Sequence, residues 1–153
     1  MYLAQLNIGK FKAGRGDPAM AYFFDNLDRI NAMAERMPGF VWRLKDESNN
    51  ATNIPWAGDP SFAVNLSVWE SVEALEKFVW ATAHNKVYAR KAEFFEKSDK
   101  PHFILWWIPE GHIPTLKEAN QRLEYYTAHG AGEQAFGWAD APSAKLWQEK
   151  RCA

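Results

Sequence analysis

The chain is short of cysteine, of net charge and of long apolar runs, and each shortage removes a class of protein. Among 153 residues there is one cysteine, Cys152. No internal disulfide can form, so a reducing compartment, the cytoplasm, is the expected setting. Charge is nearly balanced, with 18 basic and 19 acidic residues, whereas a nucleic-acid module is normally clearly basic. No apolar run approaches the roughly 20 residues that span a bilayer. The opening MYLAQLNIGKF has no basic segment ahead of an apolar core, so it reads as a strand and not as a signal peptide. No nucleic acid and no membrane are expected as partners. Catalytic punctuation is scarce too. GKFKAGRG (9–16) is basic and glycine-containing, but it lacks the P-loop pattern, which leaves the role of a mobile flap over a pocket. No G-x-S-x-G elbow occurs. The four histidines show no H-x-x-x-H spacing and no C-x-x-C accompanies them, which argues against structural zinc.

Aromatic residues are what the chain has in excess: eight Trp and ten Phe. Such side chains bury large areas and point to a thick core, an oligomer interface or an aromatic-lined pocket. The length suits one domain over 1–153, large enough to hold a core without staples.

Periodicity gives the element order. In YLAQLNI (2–8), Tyr2, Ala4, Leu6 and Ile8 share one face, and Leu3, Gln5 and Asn7 the other. Asp17-Pro18 opens a helix carrying Met20, Phe23, Phe24, Leu27, Ile30 and Ala34, which Pro38-Gly39 stops. FVWRL (40–44) reads as a strand, followed by a long polar loop containing Trp56. FAVNLSVW (62–69) alternates Phe62, Val64, Leu66 and Val68 against Ala63, Asn65, Ser67 and Trp69. Ser71 caps the next helix, and a further helical segment spans about 83–97. HFILWWI (102–108) is a strand, and Thr115 with Glu118 forms a T-x-x-E box opening a helix that ends near Gly130. AFGW (135–138) reads as a short edge strand, and the tail APSAKLWQEKRCA as peripheral. The order β-α-β-β-α-β is that of the ferredoxin-like α+β sandwich, with a core over about 1–108 and an added C-terminal helix in the extension 109–153.

Such a sheet has its helices on one face. With Tyr2/Ala4/Leu6/Ile8 and Phe62/Val64/Leu66/Val68 taken as the helix-covered set, the open face would carry Gln5, Asn7, Asn65, Ser67 and Trp69, with either Trp42 or Arg43. A mixed amide and aromatic surface suits a ligand cavity or a wet dimer interface; half-polar solvated sheets are also ordinary. Trp106 and Trp107 must face opposite ways, so one packs as core and the other faces a partner or a lumen. His84, at a helix start, is the strongest single candidate for ligation or proton transfer, although a plainly hydrogen-bonded histidine is the commoner case at such a position. Arg90 and Lys91 on the same segment could rim a site for a carboxylate or propionate; solvated surface charge is the commoner case. His112, between prolines, reads as a loop anchor.

NLSVWESVEALEKF and the His84 that follows, on this element order, resemble the dimeric α/β-barrel superfamily, which includes antibiotic-biosynthesis monooxygenases and IsdG-type haem-degrading enzymes. FVWATAHNKVYARKAEFFEK, FILWWIPEGHIPTLKEANQRLEYYTAHG and AFGW resemble, more closely, an uncharacterised bacterial domain-of-unknown-function family within it. The resemblance implies a homodimer whose two sheets form a barrel. It implies a site in which His84 and Asn7 are catalytic and Asn65, Trp69, Phe78, Trp80, Trp106, Trp107 and Arg90 line a pocket for a hydrophobic or aromatic small molecule. The monooxygenase branch needs no cofactor, and none is expected. The haem branch would make His84 the iron ligand, with the usual tryptophan position falling on Phe78. A non-enzymatic dimeric binding or structural module is the third reading.

Overall fold

The structure is a computed structural model that describes residues 1–144 and 146–147. Its strands are β1 (Tyr2–Lys10), β2 (Phe40–Arg43), β3 (Phe62–Trp69) and β4 (Phe103–Ile108). Its helices are α1 (Ala21–Arg36), α2 (Val72–Ala81), α3 (His84–Ala89), α4 (Lys91–Phe94) and α5 (Leu116–His129). The strands form one antiparallel sheet in the order β2-β3-β1-β4. This is the ferredoxin-like α+β sandwich expected from the sequence, with α5 as the added helix.

The helix starts follow their capping residues. Asp17 Oδ1 accepts from the Ala19 amide at 2.8 Å, and Pro18 opens a single 3-10 turn ahead of α1. Ser71 Oγ accepts from Ala74 N at 3.1 Å, and Thr115 Oγ1 from Glu118 N at 3.1 Å. The segment 83–97, expected as one helix, divides at Arg90 (φ −99°, ψ 10°). Tertiary pairing overrides helix continuity there. The chain must return to the end of β1, where Lys12 N donates to Phe94 O and Glu96 N to Lys10 O, at 2.9 and 2.8 Å.

The sheet is covered on both faces, and the coverage is the reverse of the expected one. Leu3, Trp69 and Leu105 lie against Ile30 and Ala34 of α1 and Val72, Leu75, Phe78 and Val79 of α2. Gln5 and Ser67 share that parity and are buried there. Ala4, Leu6, Val64, Leu66, Val68, Ile104, Trp106 and Ile108 face the other way, against Ala119 and Leu123 of α5 and Trp56 of the 45–61 segment. Alternation separates the two faces, but it does not say which helices cover each. The supposedly open face proves coverable because Gln5, Ser67 and the Trp69 indole satisfy one another's hydrogen bonds. The face that two sheets would share in a barrel carries α5 and the 45–61 segment.

Further ties hold the layers. Arg43, on the α1–α2 side, donates to Glu35 Oε1 of α1 from Nε and Nη2, at 3.0 and 2.9 Å, and to Asn49 O at 2.7 Å. The outer edge of β4 is closed by a two-way bridge between Leu105 and Phe136, at 2.8 and 2.9 Å. The edge segment expected at 135–138 is therefore a single bridge followed by a 3-10 turn (Trp138–Asp140). The tail expected to be peripheral is partly core: Ala141 and Ala144 are buried in the cluster beneath α1 and α2, and Trp147 packs against that cluster. Cys152 lies outside the described residues.

Trp106 is fully buried on the α5 face, whereas Trp107 is 42% exposed on the other. Trp106→Ala is therefore expected to cost about 3–5 kcal/mol in urea unfolding. Trp107→Ala, which loses mainly its ring contact with Phe136, should cost about 1 kcal/mol. Equal costs would contradict this placement.

Candidate functional site

On the sheet face beneath α1 and α2, β1 and β3 place four amide and hydroxyl residues as neighbours: Gln5 opposite Ser67, and Asn7 opposite Asn65. Gln5 Nε2 donates to Ser67 Oγ at 2.9 Å and also to Asn65 Oδ1. The Trp69 indole N–H donates to Ser67 Oγ at 2.9 Å. Without these bonds the buried amide and indole would carry a desolvation penalty. The line continues through rings. Trp69 stacks on Phe78 of α2 with centroids 5.3 Å apart, and Phe78 meets the His84 ring of α3 at 4.8 Å. His84 in turn faces Tyr88 at 6.3 Å.

Exposure changes along this face. Gln5 and Ser67 are buried at 5% and 6%, whereas Asn7 and Asn65, one step further along the same strands, are exposed. The helical cover thus ends between the two pairs and leaves the two asparagine amides exposed side by side on the sheet. Asn65 has its side-chain carbonyl occupied by Gln5, so its amide N–H group is the part left to a ligand.

His84 is half-buried, and desolvation holds its pKa below the usual histidine value despite a contact to the Val79 carbonyl that acts the other way. Nδ1 lies 3.2 Å from Val79 O. A carbonyl only accepts, so the proton is assigned to Nδ1 and the lone pair to Nε2. The backbone of His84 is fixed by donation to Thr82 Oγ1 at 3.2 Å. The result is a neutral imidazole among aromatic rings, able to take a proton or to ligate a metal.

Of the residues singled out from sequence, Asn65, Trp69, Phe78 and His84 are linked here by contacts, and Asn7 is opposite Asn65 in register. Four others are not. Trp80 packs edge-on to Tyr88 at 4.9 Å, with its indole N–H buried and without a hydrogen-bond partner among the described residues. Arg90 is bound at 2.7 and 2.9 Å by Glu93 and lies 3.8 Å over the Tyr22 ring. Lys91 donates to the Tyr88 hydroxyl at 2.8 Å. Trp106 points to the opposite layer, where its N–H donates to Glu118 at 3.2 Å. His112 Nε2 meets the other oxygen of Glu118 at 2.7 Å, tying the turn to α5. Burial pushes the Glu118 pKa up, but the hydrogen bonds from His112 and Trp106 outweigh it and leave it lowered. Trp107 lines an open depression of about 460 Å³ with Phe136 and Asp140. A second depression, of about 410 Å³, lies beside the β1–α1 loop. Neither includes Asn7 or Asn65. Gln5, which fixes Asn65, and Ser67, which holds Gln5, were named from sequence as members of this mixed face by their shared parity, but not as site residues.

Together these features define a ferredoxin-like α+β domain with an exposed asparagine pair, one member of which is linked through buried rings to a neutral histidine. The chain belongs to the family described as "Domain of unknown function (DUF3291)", whose model matches residues 2–152. No curated protein matches it. Among solved structures it is similar to NE2512, a protein of unknown function from Nitrosomonas europaea, with 15% identity, TM-score 0.49, 74% of this chain and 95% of that one. It is also similar to a variant of SnoaB, a cofactor-independent oxygenase from Streptomyces nogalater, with 17% identity, TM-score 0.44, 74% of this chain and 98% of that one. A candidate antibiotic-biosynthesis monooxygenase from Chloroflexus aurantiacus J-10-fl gives 16% identity and TM-score 0.44 over 74% and 98%. Among the described residues no helix is long and apolar enough to cross a membrane.

The His84 ring protons, followed by NMR, should titrate with a midpoint below the ordinary value of about 6.5. Because the unfolded chain then binds the proton more tightly, stability should fall as pH drops through about 6.5, and His84→Gln should remove that component. A midpoint above 6.5 would contradict the burial of the ring.

Proposed function

We propose that the protein binds a small aromatic or otherwise hydrophobic molecule over the exposed Asn7–Asn65 pair, and that it oxidises this molecule with dioxygen and without a cofactor. The observation that carries the reading is an exposed amide pair, one member of which is joined, through buried rings, to a neutral histidine. Asn65 offers an N–H to a phenolic or carbonyl oxygen. Asn7 offers a second amide beside it. His84 Nε2 takes the phenol proton, which makes the ring electron-rich. Electron transfer to dioxygen and recombination form a C–O bond at the para carbon. The O–O bond then breaks as the ring hydrogen leaves as a proton. A phenol and O₂ thereby give a quinone and water. The substrate loses four electrons and dioxygen gains four, so no reductant is required.

The test is oxygen uptake with 1-naphthol in the presence of EDTA. Uptake is expected, with His84→Gln slowing it at least about 10²-fold, as loss of a general base does, and with Asn65→Ala raising KM. Unchanged uptake in His84→Gln would sink the assignment of the base. Binding without uptake, read by tryptophan fluorescence, would replace the oxygenase by a binding module.

His84 Nε2 is also a free imidazole ligand, which favours a haem alternative, but Arg90, the residue expected to meet a propionate, is held by Glu93. A haemin Soret shift abolished by His84→Ala would favour the haem reading over the oxygenase; no shift would eliminate it.

The homodimer belongs to the same proposal. Light scattering after size-exclusion at micromolar concentration should give twice the 17.6 kDa chain mass. A monomer would overturn it.

A further inference from the structure

The basic loop 9–16 is not used by the asparagine site above, yet it forms one wall of the depression of about 410 Å³. The apolar part of that depression is Phe11 and Phe24, whose rings lie 5.6 Å apart at 36°. The polar part is Arg15, Thr52, Asn53 and Ser61. The rings are rigidly placed. Phe11 stacks on Phe95 at 5.5 Å, and Phe23 meets Phe24 edge-on at 5.1 Å, so both walls are backed by the aromatic cluster at the end of the sheet.

Arg15 is the group without a matching charge. Its guanidinium lies 5.1 Å over the Phe24 ring, and one N–H reaches Asn53 Oδ1 at 3.3 Å. Among the described residues it makes no ion pair. Asp46 feels its charge but is held by Ser48, whose amide donates to it at 2.8 Å. Asp59 is likewise held by the Ser61 amide, at 2.9 Å. A guanidinium carries five donors in a planar fork that matches a carboxylate. Here most of those donors remain unmatched at the rim of a small apolar hollow.

We infer that this depression is a binding site for a small aromatic carboxylate, with its ring against Phe11 and Phe24 and its carboxylate on the Arg15 fork. The volume is at the lower end of small-molecule sites, which fits a single ring. The inference is independent of the chemistry proposed for His84.

Benzoate is the probe, with benzamide as its neutral counterpart, added to the ¹⁵N-labelled protein. Benzoate should shift the amides of Gly14, Arg15, Phe24, Asn53 and Ser61 along one saturation curve. Arg15→Gln should weaken it about tenfold, the worth of a hydrogen bond to a charged group. Arg15 is exposed, so the variant should keep the native spectrum, which the same experiment records. Benzamide should bind no better to the wild type than benzoate binds to Arg15→Gln. The inference is overturned if benzoate shifts only amides elsewhere, those of Asn7 and Asn65 included. It is equally overturned if benzamide matches benzoate or if Arg15→Gln leaves the affinity unchanged.

Discussion

Both faces of the sheet carry apolar side chains that must be closed to water, and this requirement organises everything else in the protein. Leu3, Trp69 and Leu105 on one side and Ala4, Leu6, Leu66, Ile104 and Trp106 on the other are all nearly or fully buried. A four-stranded sheet with two such faces needs two covers, because exposed apolar area is unfavourable in proportion to its size. The paired helices α1 and α2 supply the first. The second comes from α5 and from Trp56, which pins the otherwise polar 45–61 segment. The chain after β4 is thus a structural necessity and not an appendage.

The candidate site exists where the first cover runs out. Gln5 and Ser67 are beneath the helices and must satisfy their polar atoms inside the protein, which they do with each other and with Trp69 and Asn65. Asn7 and Asn65 lie past the helices and keep free amide groups. A histidine is brought to the same network through Phe78, and the packing that desolvates it keeps it neutral. The exposed asparagines and the desolvated histidine are therefore by-products of one packing arrangement. The Arg15 depression arises at the same end of the sheet, where Phe11 and Phe95 close the end of β1.

Much of this was legible in the residues. Asp17, Ser71 and Thr115 announced their helices, since each short polar side chain caps the free amides of a first turn. Arg90 was legible as surface charge, and it pairs at the surface with Glu93. His84 was legible as a type of residue at a helix start. Its neutrality was not, because that depends on Phe78 and Tyr88 packing about it. The break at Arg90 was hidden for a similar reason: a long-range bridge to β1 overrides local helix preference.

By itself the sequence determined the element order, the caps and which side chains share a strand face, because these follow from periods of two and 3.6 residues along one chain. That Trp106 and Trp107 part company was fixed in the same way. Only the tertiary structure decided which helices cover which face, and so placed Gln5 and Ser67 inside and left Asn7 and Asn65 at an opening. Alternation fixes a parity but carries no label for the partner. The choice belongs to the crossover of α1 and α2 and to the return of α5, which local pattern cannot encode.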